Sequence, residues 1–276
     1  MPGARPGGQS VSTPTTGSPA GQDRDRRPGD LWRTVARGVG QTLVTAGLVV
    51  LLFVVYELYV TDLFADRRQD AVADELRATW DGAPEDPTVA AAPAAPPAQV
   101  PLGQGVGFLH VPRLGPDWSR AVVEGTGPEQ LEQGPGHYVG TAMPGQPGNV
   151  GIAGHRVGTG SPFLDLDRLR PGDPVVLETA DAWFVYRVLG DPATGDLLAD
   201  PSGIPGQQVV SPTDVDVISP TPDADPAAPA TGSYLTLTTC HPKYSARQRL
   251  VVHARLDGAP VAKADAPGGP PALTGD

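Results

Sequence analysis

The clearest pattern in the sequence is one uncharged apolar stretch near the start of the chain. From Gly38 to Tyr56 no residue carries a charge, and Leu, Val and Phe dominate residues 43–55. A helix needs roughly 20 such residues to cross the hydrocarbon core of a bilayer. A buried helix of a soluble domain would normally show a polar face, which this stretch lacks. The pattern therefore predicts a transmembrane helix over residues 38–60.

Charges on the two sides of this stretch predict its orientation. The residues concerned are Arg24, Arg26, Arg27, Arg33 and Arg37 before it, and Glu57, Asp62 and Asp66 after it. Because positive charge stays on the cytoplasmic side, we expect residues 1–37 to form a short, disordered cytoplasmic tail and the chain after about Val60 to lie outside the membrane. A cleaved signal peptide is the alternative, but the apolar run starts late, is long, and no A-x-A cleavage pattern follows Tyr59.

Three further segments flank a central region. Near-helical spacing of apolar residues over 61–80 predicts a juxtamembrane helix that acts as a spacer. Residues 81–101 are rich in Pro and Ala, which favours an extended linker and puts a domain boundary near Leu102. Residues 258–276 repeat the Pro/Gly/Ala composition and are expected to be a disordered tail.

The central region, 102–257, contains short apolar runs bounded by turn residues, which is typical of strands. The runs are Gly107–Val111, Ala121–Glu124, Asn149–Ala153, Pro174–Glu178, Ala182–Leu189, Ser233–Thr239 and Leu250–Leu256. Only Pro162–Leu169 has even a weak helical pattern, so the helix–strand alternation of a parallel sheet is missing. The region is predicted to be all-β, as a closed barrel or a sandwich.

Composition narrows the possible functions. With 20 basic and 31 acidic residues the net charge is −11, which repels nucleic acid. Cys240 is the only cysteine, so the chain can form neither an internal disulfide nor a cysteine-rich zinc site. The lone thiol is therefore either structural or reactive.

Cys240 ends a predicted strand and is followed by His241 and Pro242, where the proline interrupts the ladder. An isolated cysteine is more often an inert buried residue than a nucleophile. A reactive thiol needs a proton acceptor, and a carbonyl attacked by it needs a donor for the developing oxyanion.

Two residues can meet these needs. His155 follows Gly154 at the end of another predicted strand, although a surface loop histidine fits the spacing equally well. Arg249 lies at the start of the strand after Cys240, close enough along the chain for a loop and return strand to make them neighbours. Arg247 is a competitor for the same role.

These residues carry a family resemblance. Thr236–Cys240 (TLTTC), the upstream Gly-His-Arg at 154–156 and the downstream Arg249 resemble the sortases over about residues 107–256. The Gly-His-Tyr at 136–138 and the Cys-His-Pro continuation are most similar to the class E sortases of high-GC actinobacteria.

The resemblance implies an eight-stranded β-barrel and a membrane-anchored cysteine transpeptidase without a cofactor. Its substrates are surface proteins with an LAxTG- or LPxTG-like sorting signal, cut between Thr and Gly, and its acceptor is an amine of peptidoglycan precursor or a pilin. Cys240 would be the nucleophile, His155 the general acid and base, and Arg249 the oxyanion donor. His137, Tyr138 and Thr239 are candidates for lining the substrate groove.

Other polar groups are predicted to be incidental. His110, His241 and His253 lie in no metal-ligand spacing, and the acidic cluster of Asp165, Asp167 and Asp173 lacks the spacing of a calcium loop. No metal site is predicted.

Two alternative functions would also fit a membrane-anchored domain that lies outside the cytoplasm. An L,D-transpeptidase or a papain-like cysteine peptidase would also use a Cys/His pair, but the signature residues of both are missing. A non-enzymatic β-domain that binds wall polymer or a partner protein, with Cys240 buried and inert, stays open.

Overall fold

The computed structural model describes residues 28–56, 61–82 and 100–274 of the chain. The chain separates into two compact units, residues 1–53 and 54–276, each described by itself. Most of the expected cytoplasmic tail and of the Pro/Ala-rich linker falls on residues 1–27 and 83–99, which lie outside the described residues.

One long helix, α1 (Pro28–Val55), forms the described part of the first unit and ends two residues past its boundary. Its stretch Trp32–Val55 is 24 residues long and, by length and composition, apolar enough to cross a membrane. The helix begins earlier than the predicted transmembrane segment. The hydroxyls of Thr42 and Thr45 donate to carbonyls four residues earlier in the helix, at 3.0 and 2.9 Å, so they do not disturb its apolar character.

The second unit contains α2 (Thr61–Asp81), over the residues where the sequence predicts a juxtamembrane helix. The expected spacer is also a packed element, because Leu76 is buried against Phe108 and Ala121 of the sheet. The Gln69 amide donates to the carbonyl of Ala121 at 3.1 Å and accepts from its N–H at 2.9 Å, as a neighbouring strand would. The folded unit therefore starts before the predicted boundary at Leu102.

Ten strands and one short helix follow. They are β1 (Gly105–His110), β2 (Ser119–Glu124), α3 (Pro128–Leu131), β3 (Gly136–His137), β4 (Gly148–Ala153), β5 (Pro174–Glu178), β6 (Ala182–Val188), β7 (Gln207–Val210), β8 (Ser233–His241), β9 (Gln248–Leu256) and β10 (Val261–Ala262). All seven predicted strands are confirmed. The segment Pro162–Leu169 contains only a 3₁₀ turn at Leu166–Arg168.

Eight of these strands close into a barrel in the order β6-β5-β1-β2-β3-β4-β8-β9, with β9 pairing back to β6. β7 pairs with β9 and β10 pairs with β6, outside the ring. The ring is antiparallel except for the β2–β3 and β4–β8 pairs. Of the two predicted architectures, the closed barrel is therefore confirmed.

Successive side chains of each strand alternate between the core and the outer face of the barrel. In β8, Leu235 and Leu237 belong to the hydrophobic core, which leaves Thr236, Thr238 and Cys240 on the outer face. The same alternation in β4 and β9 fills the core from both neighbours of β8, through Val150, Ile152, Leu250, Val252 and Ala254.

The C-terminal segment corrects the prediction of a disordered tail. Within residues 258–274, β10 pairs with β6, and the indole N–H of Trp183 donates to the carbonyl of Ala266 at 3.0 Å. The Lys263 ammonium lies 2.6 Å from a Glu178 carboxylate oxygen and 4.2 Å from the centre of the Trp80 ring. Composition alone missed this order because one lysine and two tryptophans supply the packing.

Candidate active site

Strand pairing brings Cys240 and Arg249 to one end of β8 and directs the segment that carries His155 toward the same end. Cys240 and Arg249 are direct cross-strand partners in the antiparallel β8–β9 pair. The parallel β4–β8 pair ends at Ala153 opposite Thr238, so the same register continued by two residues places His155 level with Cys240. The Gly154 N–H donates to the Thr238 carbonyl at 3.0 Å, which extends the ladder toward that point.

Strand alternation predicts a shared face for the three residues. Cys240 and Arg249 lie an odd number of positions from the core residues Leu237 and Leu250, which puts them on the outside of the barrel. His155 lies two residues after Ala153, the last residue of β4, and the same alternation continued past the strand end gives it this face. A substrate can therefore approach them along the outer wall without opening the core.

Cys240 is a free, partly exposed cysteine, whereas the six residues before it are all buried. The residue is therefore not enclosed in the core, as an inert core cysteine would be. Partial exposure is a requirement for a nucleophile.

His155 is half-buried, and burial lowers the pKa of its imidazole, an effect that the nearby Glu132 carboxylate partly opposes. Gly154 is required beside it, because a Cβ at this position would lie 2.6 Å from the ring of Phe163. The packing of Phe163 against a bare backbone therefore fixes the path of the chain into His155.

Arg249 is partly exposed, and its Nη1 donates to the carbonyls of Ala246 and Gln248 at 2.9 and 3.0 Å. These bonds hold the guanidinium beside the β8–β9 loop. Within the described part of the chain no carboxylate forms an ion pair with it. Its competitor Arg247 is exposed in that loop and lacks the cross-strand pairing with Cys240.

The three predicted groove residues differ in position. Tyr138 is partly exposed, and its hydroxyl lies 2.9 Å from that of Thr238, on the face that carries Cys240. His137 is buried with its Nδ1 2.7 Å from Glu124, and the buried Thr239 hydroxyl donates to the Gly154 carbonyl at 2.8 Å. For His137 and Thr239, which are candidates for a groove-lining or an equally expected structural role, burial and these bonds favour the structural role.

A series of hydrogen bonds crosses the outer face at Thr236, four residues before Cys240 in β8. The Gln208 amide lies 3.1 Å from Nε2 of His253, whose Nδ1 lies 2.9 Å from the Thr236 hydroxyl. That hydroxyl donates to the side-chain oxygen of Asn149 at 2.8 Å, and the Asn149 amide donates to the carbonyls of Val217 and Ser219. These hydrogen bonds hold the loop between β7 and β8 against β4, β8 and β9, the strands beside the candidate site.

Sequence reasoning missed two contributors to this site. His253 is assigned no role by spacing, because its partners Gln208 and Thr236 come from two other strands, β7 and β8. Glu132 acts on His155 through space from the segment after α3, and no local pattern marks it. In the described residues, no group of three or more His, Cys, Asp or Glu side chains is placed to hold a metal ion.

Comparison with known proteins gives consistent matches. The model of the sortase domain matches residues 109–257. Sortase SrtE1 of Streptomyces coelicolor is 34% identical over 242 residues, covering 85% of this chain and 60% of that protein. Sortase SrtE2 of the same organism is 35% identical over 237 residues, covering 84% of this chain and 85% of that protein.

Solved structures give the same result. The SrtF sortase from Corynebacterium diphtheriae is similar with a TM-score of 0.57 and 35% identity, covering 64% of this chain and 95% of that one. Sortase E1 from Streptomyces coelicolor, solved with a tripeptide in the active site, has a TM-score of 0.50 and 34% identity, covering 64% of this chain and 99% of that one.

Proposed function

Because this chain belongs to the sortase family, we propose that it is a class E-type transpeptidase that cuts an LAxTG- or LPxTG-like sorting signal between Thr and Gly. The acyl part is then transferred to an amine of a peptidoglycan precursor or a pilin. The observation that best supports this reaction is the cross-strand pair of Cys240 and Arg249, with the end of β4 delivering His155 to the same face.

Acylation begins when the Cys240 thiolate attacks the Thr carbonyl carbon of the signal. A carbon–sulfur bond forms, and the carbonyl oxygen becomes an oxyanion. The Arg249 guanidinium donates to this oxyanion, since its donors meet no competing carboxylate in the described structure.

His155 moves the proton in both half-reactions. It gives a proton to the departing glycine amine as the carbon–nitrogen bond breaks, which leaves a thioester on Cys240. It then takes a proton from the incoming amine, whose attack releases the thiolate. Burial lowers the imidazole pKa and so enlarges the neutral fraction, the form that accepts a proton in the second step. The Glu132 carboxylate counteracts this lowering and so preserves a protonated fraction for the first step.

The outer wall around Cys240 supplies the substrate groove in this proposal. Tyr138 lines it, while His137 and Thr239 support it from beneath through Glu124 and Gly154. The partly exposed thiol argues against the alternative of an inert cysteine in a binding domain.

We also propose that α1 is a retained membrane anchor with its N-terminus in the cytoplasm, so that the barrel faces the substrates outside. The apolar stretch Trp32–Val55 and the arginines before it support this orientation. Alkaline extraction tests the anchor: the full chain should stay with the membrane pellet, and a shorter mature protein in the soluble fraction would instead indicate a cleaved signal.

The central experiment incubates the detergent-solubilised full chain with LAxTG and LPxTG peptides and an amine acceptor. Mass spectrometry should detect a thioester on Cys240 and the amine-linked product, and Cys240→Ala should abolish both. A wild-type protein that forms neither species with either peptide would refute the proposed function.

A further inference from the structure

Arg156 directly follows His155, and the reaction described above gives it no task. Only 3% of its side chain is exposed, so its positive charge lies inside the protein. A buried charge is tolerated only when hydrogen bonds and opposite charge replace the lost water. The partners of Arg156 therefore show what the side chain holds together.

The three partners come from two segments, residues 164–167 and the end of β8. Nη2 lies 3.0 Å from a carboxylate oxygen of Asp167, Nη1 lies 3.1 Å from Nδ1 of His241, and Nε donates to the Leu164 carbonyl at 3.4 Å. Asp167 is 44% exposed, so the ion pair is shared with solvent at one side only. Neither His241 nor Asp167 lies in a sequence pattern that marks a function.

The contact with His241 has a defined direction. A guanidinium carries only donors, so Nδ1 of His241 must accept and the ring proton must sit on Nε2. His241 directly follows Cys240, and Arg156 directly follows His155. A single hydrogen bond thus joins the immediate neighbours of the two reacting groups.

This bond lies where backbone pairing has already stopped. The β4–β8 ladder ends at Ala153 opposite Thr238, and the last backbone tie is the bond from Gly154 to the Thr238 carbonyl. Beyond it, side chains alone keep the chain after β4 against the end of β8. Such reacting groups lose about 100-fold in rate when one of them is misplaced by about 1 Å.

We propose that Arg156 is a positioning residue, whose guanidinium clamps His241 at the end of β8 to the segment after β4 and so keeps Cys240 and His155 in register. The inference rests on the proposed transpeptidase function. Arg156 touches neither substrate nor the reacting atoms in this role, and it acts through the backbone on either side of it.

The buried Thr239 hydroxyl, which donates to the Gly154 carbonyl, also crosses this gap, and an exposed ion pair across it provides the matched control. Lys243 lies 3.0 Å from Asp165, but both side chains are more than a third exposed, at 37% and 41%. Exposed pairs of this kind contribute little. Lys243→Met therefore removes a charge from the same two segments without removing the buried clamp.

The test compares steady-state kinetics of full-chain variants in detergent. Arg156→Met should lower kcat by about 10-fold or more and change KM by less than about 2-fold, because geometry rather than substrate contact is lost. Arg156→Lys should recover part of the activity. Lys243→Met should stay within about 2-fold of wild type.

His241 variants separate the hydrogen bond from general stability. His241→Asn keeps an acceptor at the position of Nδ1 and should retain most of kcat, whereas His241→Ala should resemble Arg156→Met. The double variant Arg156→Met/His241→Ala should lose no more than either single variant, since both remove one contact. Equal activity of His241→Asn and His241→Ala would overturn the inference even if Arg156→Met does not fold. Where Arg156→Met does fold, additive losses in the double variant would overturn it as well.

A readout without peptide keeps this inference distinct from the proposed function. The rate at which iodoacetamide alkylates Cys240, followed against pH, reports the coupling of the thiol to His155. The pH profile of the alkylation rate should change in Arg156→Met and His241→Ala and should match wild type in Lys243→Met. Failure of the wild type to form product refutes the transpeptidase, whereas an unchanged profile in folded Arg156→Met refutes the positioning role.

Discussion

The reactive side chains around Cys240 differ in what holds them. Cys240 and Arg249 are fixed by strand pairing, while His155 depends on the packing of Gly154 against Phe163 and on the contacts of the segment that follows. Substitutions at these positions should therefore separate loss of chemistry from loss of structure.

Replacing Arg249 by Ala should lower kcat/KM for a sorting-signal peptide by about 10²–10³-fold, because one oxyanion donor is lost. The thermal midpoint should change little, since the side chain is partly exposed and bonds only to its own loop. Arg247→Ala is the matched control and should keep near wild-type kinetics. Equal losses in the two variants would assign the oxyanion role elsewhere.

Replacing Glu132 by Gln should lower the pKa of His155 further. Burial already lowers this pKa, and the Glu132 carboxylate is the group that raises it. The imidazole should then lose its proton at a lower pH than in wild type, which an NMR titration of the ring protons measures. Glu129→Gln, in the neighbouring helix α3, should leave the titration unchanged, and a shift to higher pKa in Glu132→Gln would contradict the assignment.

Among the elements, β8 is bound on both sides and carries both the core and the site. Its outer face is tied to β4, β9 and the loop after β7 by the chain of bonds through Thr236 and His253. Burial lowers the pKa of His253 to about 3, so its ring is neutral in the native state. Gln208 and Thr236 contact the His253 ring, and Asp223 accepts a hydrogen bond from the Gln208 amide.

Stability should therefore fall as the pH drops from about 6.5 toward 3. In the unfolded chain His253 takes up a proton near its ordinary pKa of about 6.5, while the native state does not, so this group contributes up to about 1.4 kcal/mol per pH unit in that range. His253→Leu should flatten the dependence in urea unfolding series. Thr236→Val should lower stability but keep the slope, because the titrating ring remains, and an undiminished slope in His253→Leu would refute this account.

The sequence predicted the strands of the barrel and the site at their ends because both depend on local patterns. Alternating apolar runs mark β4, β8 and β9, Gly154 follows the end of β4 directly before His155, and Pro242 follows the end of β8 two residues after Cys240. Docking of α2 has no such mark, since its contacts are Gln69 to a strand backbone and Leu76 to a buried pair. β3 and β10 have two residues each, too few to show any periodicity.

In the second unit as a whole, helix α2 and the C-terminal segment 258–274 pack together against the barrel. Lys263 of the C-terminal segment lies between Trp80 of α2 and Trp183 of β6 and pairs with Glu178 of β5. The first and last parts of the unit thus stabilise each other on the β1–β5–β6 side of the barrel.

Truncation after Asp257 should accordingly lower the free energy of unfolding by about 1–3 kcal/mol, from the lost Trp183 hydrogen bond and the Lys263 contacts. Urea denaturation of the detergent-solubilised chain measures the change. Truncation after Thr274 is the control and should match wild type. Unchanged stability after the longer truncation would restore the view of residues 258–276 as a passive tail.

The proposed position of the nucleophile on the outer wall of a closed barrel has a consequence for mutational tolerance. Along β8, Leu235 and Leu237 face the interior, Thr236 is buried beneath the loop between β7 and β8, and Thr238 and Cys240 face outward toward the candidate site. In a saturation scan of this strand, abundance should drop at Leu235, Thr236 and Leu237, and turnover should drop at the outward-facing positions. Substitutions at the outward-facing residues of β8 could then change substrate specificity without altering the barrel core.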